Sequence, residues 1–252
     1  MSVNRIGILG AMPEEINGIV SLLKDKQEIV KGMRTYYVGT INDIEVVVVF
    51  SRWGKVASAT TVTHLIVEFG ISQLYFIGVA GSVSLDLAIG DIVVASSLVQ
   101  HDMDARPIVK QFEIPLLGKV ELYPPKELLE RSFYEMKKLE SSSSLLQLIS
   151  MEQQENFSIS NPKVFLGKIA SGDKFFANNN EKESLLKLLP DVLCVEMEGA
   201  AVAQVCFEYN IPYVIIRTIS DAANESSHVD FKEFVGQVAS RFGIAIIKAL
   251  VK

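Results

Sequence analysis

The stretch Cys194-Val-Glu-Met-Glu-Gly-Ala-Ala-Val-Ala-Gln204 places two carboxylates either side of a methionine, where an apolar strand hands over to a helix of small residues. Residues 193–195 have the character of a strand end, and Gly199-Ala-Ala-Val-Ala203 predicts a helix lying close against a neighbour. Glu196 and Glu198 therefore fall at a strand-to-helix junction, and in open α/β sheets ligands bind at such junctions, outside the carboxyl ends of the strands. One glutamate in a first helical turn does no more than complement the helix dipole. Two further acids at equivalent junctions, Glu15 and Asp221, turn the pattern toward a shared site.

Outward from this stretch, strands and helices alternate. Residues 5–9 form an apolar run ending at Gly10-Ala-Met-Pro-Glu-Glu-Ile16; Pro13 suits a first helical turn, where its missing N–H costs nothing. Glu14 and Glu15 fall in that turn, as dipole partners or as a general base over the strand end, and Gly10 would let backbone approach a ligand. The Gly7-x-x-Gly10 spacing is not the GxGxxG of a dinucleotide site. Residues 35–41 and 44–50 flank Asn42-Asp43 as a hairpin. Ser51-Arg-Trp-Gly-Lys55 opens a helix to about residue 69, with Val56, Val62, Leu65, Ile66 and Phe69 on one face and His64 as a packed or surface side chain.

Residues 74–77 read as a strand leading into Gly78-Val-Ala-Gly81-Ser82, a glycine-rich turn that brings backbone amides close to whatever sits above the sheet. Residues 91–99 form another strand, ending at Gln100-His-Asp-Met-Asp-Ala-Arg106-Pro107; one histidine with two aspartates is a weak metal-ligand set, and no metal is expected. A helix follows Pro124-Pro125 to about residue 139, and the polar stretch from Glu140 to about residue 160 reads as a surface excursion. Residues 163–170 make a strand ending at Ser171-Gly-Asp-Lys-Phe-Phe176, whose loop phenylalanines either plug the core edge or wall a planar ligand. A strand over 212–219 carries Arg217 and ends at Ser220-Asp221, where Asp221 is either a turn residue or a site acid. Residues 231–250 form an amphipathic helix with Phe234, Val238, Phe242, Ala245 and Ile246 inward.

Nothing in the 252 residues resembles a linker, so one α/β domain over 1–252 is expected. The 49% hydrophobic content and positive mean hydropathy imply a large core, while runs such as Val46-Val-Val-Val-Phe50 are far too short to span a bilayer. A soluble, cytoplasmic chain without a membrane partner is expected, since Met1-Ser-Val-Asn4 leads into a strand with no charged region and cleavage site. Cys194 and Cys206 lack CxxC spacing and suit buried thiols in a reducing compartment. Net charge −6 and a pI near 5.2 argue against a nucleic-acid surface, so the expected partner is a small molecule.

Gly7-Ile-Leu-Gly-Ala-Met-Pro-Glu-Glu15, Gly90-Asp-Ile-Val-Val94, Ser171-Gly-Asp173, Val195-Glu-Met-Glu-Gly-Ala-Ala201 and Arg217-Thr-Ile-Ser-Asp221 together resemble the 5′-methylthioadenosine/S-adenosylhomocysteine nucleosidases of the purine nucleoside phosphorylase-like superfamily. The resemblance spans nearly the whole chain in order. It implies a single-domain α/β/α sandwich with a mixed, partly barrel-like central sheet, a homodimer, and irreversible release of adenine from 5′-thio adenine nucleosides, with 5′-deoxyadenosine as a further candidate substrate, without a cofactor.

By the same resemblance Glu15 activates water with Arg217 nearby, Glu198 accepts the ribose hydroxyls, and Asp221, partnered by Ser220, protonates adenine N7. Each role suits the chemistry. A carboxylate by the ribose steadies an oxocarbenium-like state, and adenine leaves poorly unless protonated by an acid that burial keeps neutral. Phe175 would stack on adenine, Phe176 would offer backbone groups to its Watson–Crick edge, Met197 would pack under the ribose, and Phe231 would line the 5′ side. Met12, Ala80, Gly81 and Glu196 complete the expected lining. Two positions depart from the family pattern. Val79 stands where Ser or Thr usually helps to hold the attacking water, and Arg52-Trp53 stands where Gly-Ile is common, so the indole is expected to narrow the 5′ pocket against a homocysteine tail. The loop from His101 to Ile108 corresponds to one that reaches the partner subunit's pocket. Two alternatives stay open. One is a phosphorylase, which Arg52 and Arg106 would serve and which the arginine-free glycine segment and Glu15 oppose; the other is a nucleoside-binding protein without turnover, suggested by Val79.

Overall fold

Every residue of β1 (Ile6–Gly10) and β10 (Tyr213–Asp221) is buried, so neither strand alternates apolar and polar positions. Such strands need cover on both faces. The computed structural model describes residues 5–224 and 227–252 and supplies that cover with a helical layer on each side of one mixed sheet. The reading of Met1-Ser-Val-Asn4 lies outside the described residues.

The other strands are β2 (Lys24–Lys31), β3 (Arg34–Ile41), β4 (Ile44–Phe50), β5 (Gln73–Ser82), β6 (Ile92–Gln100), β7 (Glu121–Leu122), β8 (Val164–Ser171) and β9 (Val192–Glu196). With β7 paired to β6 off this path, the strands run in the order β10-β6-β8-β9-β5-β1-β4-β3-β2, and β10 also pairs with β5, which closes β5, β10, β6, β8 and β9 into a five-stranded barrel. The β5–β10, β6–β8 and β8–β9 pairs are parallel, whereas β10–β6 and β9–β5 are antiparallel. From β5 the sheet extends through parallel β1 and β4 to the antiparallel β3 and β2.

On one face α1 (Pro13–Val20), α3 (Lys126–Ser141) and α8 (Ser240–Leu250) bury Ile16, Ile19, Leu128, Met136, Phe242 and Ile246 against the sheet. On the other, α2 (Lys55–Val67) packs on α6 (Gly199–Glu208), whose alanines allow the close approach that their sequence suggests. Short helices α4 (Met151–Asn156), α5 (Asn179–Leu188) and α7 (Ser227–Phe234) complete the layers. Among the described residues no helix is long and apolar enough to cross a membrane.

Four expectations change, and one strand goes unread. Gly78 to Ser82 is not a turn but the continuation of β5, paired to β10 and β9. The polar stretch after Glu140 is more than a surface excursion, since Leu145, Ile149, Phe157 and Ile159 are buried in the core. The helix expected over 231–250 is α7 and α8 joined through a π-helical turn at Val235–Ala239. Val56 faces outward at 80% exposure, because the buried face of α2 runs through Ser58, Thr61, Val62 and Leu65. The exposed edge strand β2 carries too little apolar patterning to be read from sequence.

Candidate active site

Four segments bring acids to one end of the barrel. β1 leads into α1, which presents Glu15 from its first turn; β9 ends on Glu196; Glu198 stands at the N-cap of α6; and β10 ends on Asp221. All four are at most 7% exposed. Glu15, Glu196, Glu198 and Asp221 line one cavity together with Met12, Trp53, Val79, Ala80, Gly81, Phe175, Phe176, Met197, Ser220 and Phe231. Ala11, Lys174, Val195 and Ala223 also line it and were not singled out from sequence.

Glu15 is fixed through both oxygens. Oε2 accepts the Ala11 and Met12 N–H groups at 2.6 and 3.1 Å, and Oε1 accepts the Val79 N–H at 3.1 Å. It therefore completes its own helix start and also faces the cavity. Burial raises its pKa above the usual carboxylate value, and the Arg217 charge and the three amides oppose that rise.

The two glutamates either side of Met197 differ. Glu196 receives Arg217 Nε at 3.2 Å and Nη2 at 2.7 Å, the Ser171 hydroxyl, and the Glu198 and Gly199 N–H groups. Its carboxylate is bound into the fold on nearly every side. Glu198 accepts one hydrogen bond among the described residues, from the Gly54 N–H to Oε1 at 2.8 Å. Burial, and then the neighbouring Glu196, push its carboxyl up to about 8.

Arg217 is the expected site residue that does not line the cavity. Its guanidinium binds Glu196 and the Phe76 and Ile216 carbonyls, and it lies 4.0 Å over the Phe76 ring. A side chain spent in this way supplies fixed charge behind the site rather than a hand on the substrate. At the other end, Asp221 Oδ2 accepts the Ser220 hydroxyl at 2.7 Å and Oδ1 accepts the Ala223 N–H at 2.9 Å. Ala223 is held at φ +49°, the left-handed region that non-glycine residues seldom adopt. The sequence carries no signal for that strain.

The glycines of β5 serve the acids. A Cβ on Gly78 would lie 2.9 Å from Glu15 Oε1, and one on Gly81 would lie 2.9 Å from Asp221 Oδ1. The close approach expected at a ligand is therefore made by the protein's own carboxylates. Phe175, 40% exposed, meets Phe231 edge-on at 5.6 Å, and Phe231 meets Trp53 edge-on at 6.0 Å. Phe176 is buried edge-on against His101. Beyond this aromatic rim the cavity continues past Met12 and Trp53 into an open groove lined by Phe50, Arg52, Lys232 and Val235.

Among the described residues no three His, Cys, Asp or Glu side chains are grouped to hold a metal ion. The acids of the loop after β6 are taken up by cations, Asp102 by Lys55 and Asp104 by Arg106. Both cysteines are free thiols buried away from the cavity, and burial raises both pKa values.

Residues 5–252 match the phosphorylase superfamily. An aminodeoxyfutalosine nucleosidase of Helicobacter pylori is 37% identical over 240 residues, 94% of each chain. A 5′-methylthioadenosine/S-adenosylhomocysteine nucleosidase of Staphylococcus haemolyticus is 32% identical over 98% of this chain and 99% of the relative. The solved structure of the Streptococcus pneumoniae MTA/SAH nucleosidase in complex with 8-aminoadenine superposes with a TM-score of 0.84 at 33% identity, covering 98% of this chain and 99% of that one. Fold, sequence and the convergence of acids agree: the chain belongs to the phosphorylase superfamily and, within it, to the 5′-methylthioadenosine/S-adenosylhomocysteine nucleosidase family.

Proposed function

We propose that the protein hydrolyses the N-glycosidic bond of 5′-methylthioadenosine and S-adenosylhomocysteine, and of 5′-deoxyadenosine, releasing adenine. The observation that carries this reading is the convergence of Glu15, Glu198 and Asp221, far apart in the chain, on one cavity walled by Phe175, Phe176 and Met197. Asp221 protonates N7 as the C1′–N9 bond breaks, so adenine leaves neutral. Positive charge spreads over the ribose, and Glu198 beside it accepts the ribose hydroxyls and steadies that charge. Water adds to C1′ and gives its proton to Glu15, which the Ala11, Met12 and Val79 amides aim into the cavity. Val79 offers its backbone N–H to Glu15 and no side-chain hydroxyl to the water.

Adenine release measured with and without phosphate tests the reading: equal rates are expected, and dependence on phosphate would favour phosphorolysis. Against phosphorolysis, Arg217 is bound to Glu196, Arg52 donates to the Met33 carbonyl and Arg106 pairs with Asp104, so among the described residues no arginine faces Glu15 across the cavity. Complete absence of adenine on prolonged incubation, with nucleoside still bound, would instead support a binding protein.

The 5′ substituent leaves the inner cavity between Trp53, Phe175 and Phe231 and enters the outer groove. Trp53 stands at that boundary, so we assign it the choice between short and long tails. Trp53→Ile is expected to raise kcat/KM for the homocysteinyl substrate relative to the methylthio substrate, and an unchanged ratio would remove the assignment. We further propose that the chain acts as a single nucleosidase domain over 1–252, in the cytoplasm, as a homodimer and without a cofactor.

A further inference from the structure

The Ser171-Gly-Asp173 motif is only partly absorbed by the chemistry above. Ser171 serves Glu196 and the Ala200 N–H, whereas Asp173 lies outside the cavity and points to α2 instead. Its Oδ1 accepts the Lys55 N–H at 2.7 Å, across 118 positions of sequence, at a helix start whose own N-cap, Gly54, has no side chain. Gly54 sits at φ +91°, and a Cβ there would come within 2.9 Å of that same Oδ1. A second link closes the ring. The Asp173 N–H donates to Asp102 Oδ2 at 3.0 Å, and Lys55 Nζ donates to Asp102 Oδ1 at 2.7 Å and to Gln100 Oε1 at 3.3 Å.

The ring joins two halves of the site. Gly54 supplies the hydrogen bond that Glu198 receives, and Asp173 stands two residues before Phe175 and three before Phe176 in the aromatic wall. We infer that Asp173 is a positioning residue that latches the aromatic loop to the start of α2, so that one carboxylate sets both the wall against the base and the amide that aims Glu198 at the ribose. This assignment rests on the proposed nucleosidase reading for its kinetic consequence and on geometry alone for the latch.

The test compares Asp173→Ala with Asp173→Asn, whose amide oxygen still accepts the Lys55 N–H. Backbone hydrogen exchange at Gly54 and Lys55 is expected to quicken about tenfold or more in the alanine variant and much less in the asparagine variant. With methylthioadenosine, kcat is expected to fall about 10- to 100-fold in Asp173→Ala with a smaller change in KM, and Asp173→Asn to recover most of the loss. If Asp173→Ala does not fold, Lys55→Met breaks only the side-chain half of the ring and must quicken exchange at Gly54. Wild-type exchange at Gly54 and Lys55 in a folded alanine variant, or at Gly54 in Lys55→Met where that variant stands in, overturns the latch. So does an asparagine variant as impaired as alanine. Absence of adenine release by the wild type would instead sink the nucleosidase reading, while the exchange comparison still judges the latch.

Discussion

One residue, Met197, separates Glu196 from Glu198, and their hydrogen-bond partners give them opposite work. Glu196 is neutralised by Arg217 and caps α6, whereas Glu198 has one amide partner among the described residues and an unsettled charge. With an ordinary value of 4.5 raised to about 8 in the fold, Glu198 keeps a proton that the unfolded chain has already released between those pH values. Its contribution to stability is intact below pH 4.5 and declines as pH rises toward 8, with a slope of up to about 1.4 kcal/mol per pH unit. Glu198→Gln removes that decline. Urea unfolding is expected to find the variant increasingly more stable than wild type from pH 5 to 8, while kcat falls roughly 100-fold or more. Buried Glu15, also raised, leaves a residual slope of the same sign in both proteins. Parallel stability curves would show that Glu198 is ionised in the fold. Asp221→Asn keeps its acceptor for the Ala223 N–H but cannot donate a proton to N7. A folded variant with nearly unchanged KM and kcat reduced about 1000-fold is expected, and retained turnover would dismiss the acid assignment.

At the scale of elements, Arg217 ties β10 to the β9–α6 junction through Glu196. Arg217→Met leaves the Glu196 charge buried without its partner, a loss of roughly 3–5 kcal/mol that denaturant unfolding would register. A loss below about 1 kcal/mol would mean that Ser171 and the α6 amides suffice. The same residue shows where sequence reading stops. An arginine in an apolar strand next to an acid-rich site reads as a neighbour of the base Glu15, and its charge does act on Glu15, but only the fold reveals that its hydrogen bonds go to Glu196 and to the Phe76 and Ile216 carbonyls. Local signals were legible: the β3–β4 hairpin, the Pro13 helix start, and the β9–α6 handover each depend on neighbours in sequence. β5 beyond Ile77 was not, because Gly78 and Gly81 read as turn formers when their use is to make room for carboxylates from other strands and helices. Serine and glutamine likewise hid the buried Leu145, Ile149, Phe157 and Ile159. The acids of the cavity were legible because a carboxylate at the end of an apolar strand has no cheap structural explanation.

Among the described residues, the whole molecule presents a helical face on α2 that the core does not claim. Along α2, Val56, Thr60, Thr63 and Val67 fall on successive turns away from the buried face, with Val56 80% and Val67 60% exposed. Trp53 just before the helix and Ile108 on the loop after β6 are also exposed, at 57% and 87%. A run of apolar and uncharged side chains bounded by Lys55 and Glu68 suits burial against a second copy better than contact with water. Light scattering at micromolar concentration is expected to give twice the 27.8 kDa chain mass. Val56→Glu with Val67→Glu would bury like charges against each other across a two-fold interface, so the doubly substituted chain is expected to run as a folded monomer with an unchanged circular dichroism spectrum. If the loop from His101 to Ile108 reaches the neighbouring pocket, that monomer also loses kcat/KM, most on substrates with long 5′ tails. A wild-type mass of one chain under the same conditions would return the α2 face to solvent and leave each aromatic rim to close its own cavity.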